Sequence, residues 1–127
     1  LTNRPVVVSH TGIQGTCDSP RNLSDRQIRQ VAKTGGVIGV GLWERAVCGV
    51  GAAHIVRAIR HVVDLVGVDH AALGSDFDGT VHTPFDVTGL PKITERLIAA
   101  GFSSREIGMI MGGNTLRVVE ETLPRNE

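Results

Sequence analysis

Three positions in this sequence carry side chains that could do chemistry: an imidazole, a carboxylate pair and a guanidinium. His10 follows the run VVVS and precedes Thr11-Gly12, which puts it at the C-terminal end of an expected strand. A neutral imidazole there can bind a metal through one nitrogen while a neighbour orients the other. The plain alternative is a histidine hydrogen-bonded at a strand end. Asp76 and Asp78 flank Phe77 in GSDFDG, after another apolar run. Alternate strand residues share a face, so both carboxylates enter one site if the strand persists; a turn is the competing reading, since Asp and Gly cap strand ends. Arg21 lies in the loop after His10, beside Asn22. Its planar fork suits a carboxylate, although most loop arginines are simply solvated. His54, His61, His70 and His82 read as structural, with His82, in a long loop, the least decided.

The elements that must position these groups alternate between strand and helix. Pro5 to Ser9 reads as a buried strand. Ser24, with Gln27 three residues on, has the spacing of a capping box, and Ile28, Val31 and Ala32 give the following helix its apolar stripe. Val37 to Trp43 is apolar without alternation, as in a parallel strand covered on both faces. Ile55, Ile59, Val62, Val63 and Val66 recur at helical spacing before Gly67. His70 to Phe77 supplies a third strand, and residues 78–89 form a long polar loop of the kind that carries function. Further helices are expected around Ile93 to Ile98, from a second capping box at Ser103 and Glu106 through Met111, and from about Asn114 to Leu123. Strands alternating with helices imply βαβ units and a parallel sheet, in one unit over residues 1–127. A full (β/α)8 barrel takes about 250 residues, so the chain corresponds to about half of one, and its sheet edges leave self-association open.

Composition narrows the classes. Thirteen basic residues balance thirteen acidic ones, which argues against a nucleic-acid partner. No apolar run approaches the roughly 18 residues of a spanning helix, and LTNRPVVVSH lacks the layout of a signal peptide. Sixteen glycines, one Trp and no Tyr suit an aliphatic α/β core. Cys17 and Cys48 are too far apart for a CxxC pair. A disulfide and two buried thiols both remain open, and composition alone favours the thiols.

Two family resemblances compete. DFDGTV, from Asp76 to Val81, resembles the nucleophile motif of haloacid-dehalogenase-like phosphatases. That motif normally opens its domain and is followed by a strand-borne lysine and a further acidic pair, which this chain lacks. PVVVSH, PRN, GGVIGV, DHAALGSDFDG and MGGNTLRV, in that order, resemble instead the C-terminal half of the membrane (renal) dipeptidase family of zinc metallopeptidases. This likeness runs from Pro5 to about Val119.

The second resemblance implies the C-terminal part of a TIM-type (β/α)8 barrel, a two-zinc centre and hydrolysis of dipeptides by a metal-activated hydroxide. By matching positions, His10 is a zinc ligand, Arg21 holds the substrate carboxylate, and Asp76 is the catalytic acid/base. Cys17 and Cys48 fall where some relatives place a disulfide, which suits a periplasmic or membrane-associated setting. The family's His-x-Asp pair, bridging glutamate and other zinc histidine have no counterpart in the chain, and neither does the tyrosine some relatives carry near the substrate. The expectation is therefore a fragment inactive alone, whose partners are a dipeptide and the missing N-terminal half of the barrel. A truncated, noncatalytic paralogue that oligomerises is the remaining alternative.

Overall fold

In the computed structural model, which describes residues 2–124, β1 (Val7–Thr11), β2 (Val37–Gly41) and β3 (Ala71–Gly74) form a parallel sheet in the order β1-β2-β3. Helices α1 (Asp25–Lys33), α2 (Glu44–Val47), α3 (Ala52–Val66), α4 (Leu90–Ala99), α5 (Ser104–Gly108) and α6 (Asn114–Thr122) complete it. All three strands therefore end at one edge, where side chains from different strands can meet.

The core lies between the sheet and α3. Ile38 and Val40 of β2 and Ala71 of β3 pack with Ile55, Ile59 and Val62 of α3, all fully buried. Each of the Ile and Val side chains among them contributes about 1.5–3 kcal/mol by leaving water. The other sheet face carries the small cluster of Val37, Ala72 and Val118, where α6 crosses the sheet. Asn114 Nδ2 donates to the carbonyls of Val68 (2.7 Å) and Ala71 (2.9 Å), and Arg117 donates to those of Gly35 and Asp69 (3.1 Å each). Helix α6 is thus fixed at the N-terminal end of the strands, away from the edge that holds His10.

Local signals explain most boundaries. Ser24 and Gln27 form a reciprocal capping box on α1, as Ser103 and Glu106 do on α5. Gly67 (φ +97°) closes α3 by donating to the Val63 carbonyl. Four differences from the sequence reading matter. Strand β1 runs two residues further, so His10 lies within it. Strand β3 stops at Gly74 rather than at Phe77, because Asp76, Asp78 and Thr80 take left-handed φ of 56°, 65° and 60°, incompatible with a strand. The helix through Met111 gives way after Gly108 to a wider turn, Met109–Gly113, that leads into α6. A short helix, α2, follows Trp43 directly.

Strand β1 also carries one residue too many. Val8 pairs with Ile38 and Thr11 with Val40, so Ser9 and His10 together oppose Gly39. Such a bulge bends a strand and re-aims a side chain. Glycine makes room for it: a Cβ on Gly39 would overlap the Ser9 carbonyl oxygen, and one on Gly74 would overlap that oxygen and crowd His10 Cα.

Candidate active site

The bulged end of β1 and the turn after β3 bring His10 and Asp76 together. His10 Nε2 lies 3.9 Å from Asp76 Oδ1, with the side chains 38% and 18% exposed. Ser9 Oγ sits 2.9 Å from His10 Nδ1 and so bears on the ring's orientation. Asp76 is held by its own turn: Gly79 N–H donates to the Asp76 carbonyl at 3.0 Å, and a Cβ on Gly79 would strike the Asp76 carboxylate. A left-handed Asp costs little, whereas a β-branched residue such as Thr80 pays more. The turn thus stores strain beside the carboxylate, as loops at working sites often do. Asp78 is exposed; without a strand to alternate along, it does not share the Asp76 position.

Trp43 joins these groups to Arg21. Its ring, 5% exposed, lies 5.9 Å from the His10 ring in an edge-on arrangement, and Arg21 Cζ stands 5.3 Å from its centroid. Both separations are within favourable aromatic and cation–π range. A Cβ on Gly41 would overlap the indole, so that glycine lets the ring fold back over the sheet end. Trp43 was not among the residues singled out from the sequence. The available signal was positional: it is the apolar residue just past β2, at the same sheet edge as His10 and Asp76.

The loop carrying Arg21 is anchored rather than free. Asn22, 6% exposed, donates through Nδ2 to the carbonyls of Cys17 (2.8 Å) and Ala46 (3.1 Å). Arg57 donates to the carbonyls of Thr16 (3.0 Å) and Val47 (3.3 Å). Cys17 and Cys48 are joined by a disulfide, with Cα atoms 5.2 Å apart. The composition-based preference for two thiols is therefore corrected: folding brings the two loops over neighbouring strands side by side, which separation along the chain does not reveal.

Among the remaining histidines, His61 Nε2 lies 2.7 Å from Asp25 Oδ1, and His70 Nδ1 lies 2.8 Å from the Gly36 carbonyl. Both bonds tie helices or strands together away from His10. His54 packs on Gly49, and exposed His82 lines a cleft of about 290 Å³ with Trp43, Glu44 and Arg45.

A hydrolytic zinc usually takes three protein ligands and a water. Here one imidazole and one carboxylate converge, and among the described residues no group of three or more His, Cys, Asp or Glu is placed to hold a metal ion. These residues do not amount to a metal site by themselves. No helix among the described residues is long and apolar enough to cross a membrane.

Comparison with known proteins adds the wider context. The family model described as "Membrane dipeptidase (Peptidase family M19)" matches residues 1–126. A Klebsiella pneumoniae protein described only by its position in the pqqA 5' region is 36% identical over 125 residues, covering 91% of this chain and 46% of that protein. A dipeptidase of Aspergillus terreus, ataJ, is 33% identical over 129 residues, covering 95% and 32%. A Rhodobacter sphaeroides metallopeptidase, solved with a phosphinate mimic of the dipeptide L-Ala-D-Ala, superposes with a TM-score of 0.86 at 29% identity, over 97% of this chain and 38% of that one. The chain thus spans less than half the length of these relatives. Its parallel strands alternating with helices are equivalent to part of their fold.

Proposed function

The chain belongs to the membrane dipeptidase family, peptidase family M19, and on that premise we propose that it forms the substrate-facing part of a zinc-dependent dipeptidase. The observation that carries this reading is that Asp76 meets His10, while His10 and Arg21 both lie against Trp43, at the C-terminal edge of a parallel sheet. That is the edge where α/β barrels collect catalytic groups.

The roles follow from chemistry. Arg21, partly backed by the Trp43 ring, offers a fork for the free C-terminal carboxylate of a dipeptide. Asp76, more buried than His10 and fixed by its turn, can take and return a proton at a reacting centre beside it. His10 offers Nε2 as a metal donor, with Ser9 Oγ at its other nitrogen. A zinc ion in a hydrolase supplies Lewis acidity and a source of nucleophile. The described residues bring too few donors to hold one, so the other ligands belong to a further segment of the barrel or to a partner. On this reading residues 1–127 alone are inactive, and zinc-dependent hydrolysis by that isolated piece would refute the claim. The disulfide fits a periplasmic or other oxidising compartment.

The phosphatase reading of DFDGTV loses its support, because Asp78 is exposed on a turn and not aligned with Asp76 on a strand. The direct test is Asp76→Asn in the protein at its natural length. Turnover of a dipeptide should fall by about a hundredfold or more, with zinc content near normal. Zinc lost in step with activity would make Asp76 a structural ligand instead.

A further inference from the structure

A second arginine shares the cleft that holds Arg21 and has no part in the proposed chemistry. Ser19, Arg21, Asn22, Trp43, Arg45 and Val81 line a cleft of about 300 Å³. Two of these six lining residues are arginines, and none is acidic. Glu44 lines only the adjoining cleft. Among the described residues neither Arg21 nor Arg45 has a carboxylate within ion-pair distance. Like charges sharing a cleft beside a buried indole repel each other, and a ligand with two negative charges relieves that repulsion.

The placement of both arginines is built into the fold. Arg21 sits one residue before Asn22, and Arg45 one before Ala46. The single buried amide of Asn22 bonds the Cys17 and Ala46 carbonyls, tying the two segments directly. Arg57, bridging Thr16 and Val47, and the Cys17–Cys48 disulfide tie them twice more. Three cross-links hold the Arg21 loop against α2, so the backbone positions that carry the two cations stand beside one cleft.

We propose that Arg45 forms a subsite for an acidic side chain on the C-terminal residue of the substrate, selecting dipeptides that end in Asp or Glu. This rests on the dipeptidase reading, in which Arg21 takes the α-carboxylate. One additional charge-assisted contact at a partly exposed site amounts to about a tenfold preference.

The test uses the protein at its natural length with its own metal. It compares kcat/KM for Ala-Glu and Ala-Asp with that for Ala-Ala and Ala-Gln, offering both configurations of the C-terminal residue. The expected result is about a tenfold preference for the acidic substrates, expressed mainly in KM. Arg45→Gln should collapse that ratio to within about threefold, and Arg45→Glu should invert it; Arg45 is exposed, so both variants should fold. Equal or better use of Ala-Gln by the wild type, or a ratio unchanged in Arg45→Gln, overturns the subsite while the dipeptidase reading stands. Failure to cleave any dipeptide overturns both.

Discussion

Asn22→Ala is the perturbation that tests most sharply how the Arg21 loop is held. The Asn22 amide is 6% exposed and donates to two carbonyls that belong to different segments, Cys17 at 2.8 Å and Ala46 at 3.1 Å. Each bond contributes about 1 kcal/mol net, rising to about 2 kcal/mol where its loss leaves a buried carbonyl without a donor. The disulfide and Arg57 keep the segments close, so water cannot readily replace the amide, and a total of about 2–4 kcal/mol is expected. With a urea slope of about 2 kcal/mol per molar, the midpoint should fall by about 1–2 M. Asn22→Asp is the control. It preserves size but sets a carboxylate against two carbonyl oxygens, so it should cost at least as much as alanine. A midpoint shift below about 0.3 M for both variants would refute the reasoning, and so would an Asp variant as stable as wild type. The disulfide shares this junction, so combining Asn22→Ala with Cys17→Ser and Cys48→Ser should depart from additivity.

Other consequences are as direct. Gly39→Ala places a methyl on the Ser9 carbonyl oxygen beneath the β1 bulge; a loss of about 1–3 kcal/mol is expected in thermal or urea unfolding, and unchanged stability would mean the bulge is not sterically required. Reducing the disulfide, which spans 31 residues of sequence, should cost about 3–4 kcal/mol in the chain-entropy account, measured as the difference between oxidised and reduced unfolding curves. Glu106 has its pKa lowered by the Ser103 backbone N–H and then by the Ser103 hydroxyl. Because the folded value lies below the unfolded one, its contribution is present above the ordinary carboxylate range and disappears as pH falls through the lowered value. Glu106→Gln should therefore flatten part of the acid limb of stability against pH, and an identical acid limb would show that the ionised carboxylate adds nothing to this cap beyond what a glutamine supplies.

Several features were legible from residue order because their causes are local. The two capping boxes, Ser24 with Gln27 and Ser103 with Glu106, are spacing rules satisfied within one helical turn. The stripe of Ile55, Ile59 and Val62 predicted α3 because helical periodicity puts those residues on one face. The unbroken apolar run from Val37 announced a strand buried on both sides. His10, Arg21 and Asp76 could be singled out by type and by nearness to strand ends.

What brings those three together depends on approaches between distant segments. The bulge at Ser9-His10 exists because Gly39 and Gly74 lack side chains just where β1 crosses them, and register between strands leaves no periodic trace in either one. Trp43 became the common neighbour of His10 and Arg21 only once Gly41 let its ring lie over the sheet end. Asp78 lost its place because left-handed residues at Asp76, Asp78 and Thr80 rule out a continuing strand, a backbone outcome set by the turn as a whole. The meeting of Arg21 and Arg45 in one cleft is likewise a product of the Asn22, Arg57 and disulfide ties. Periodicity and caps report hydrogen bonding within a segment, and so they can be read along the chain. Close packing between segments is settled only when all of them share one volume, and in this protein that is where the site was made.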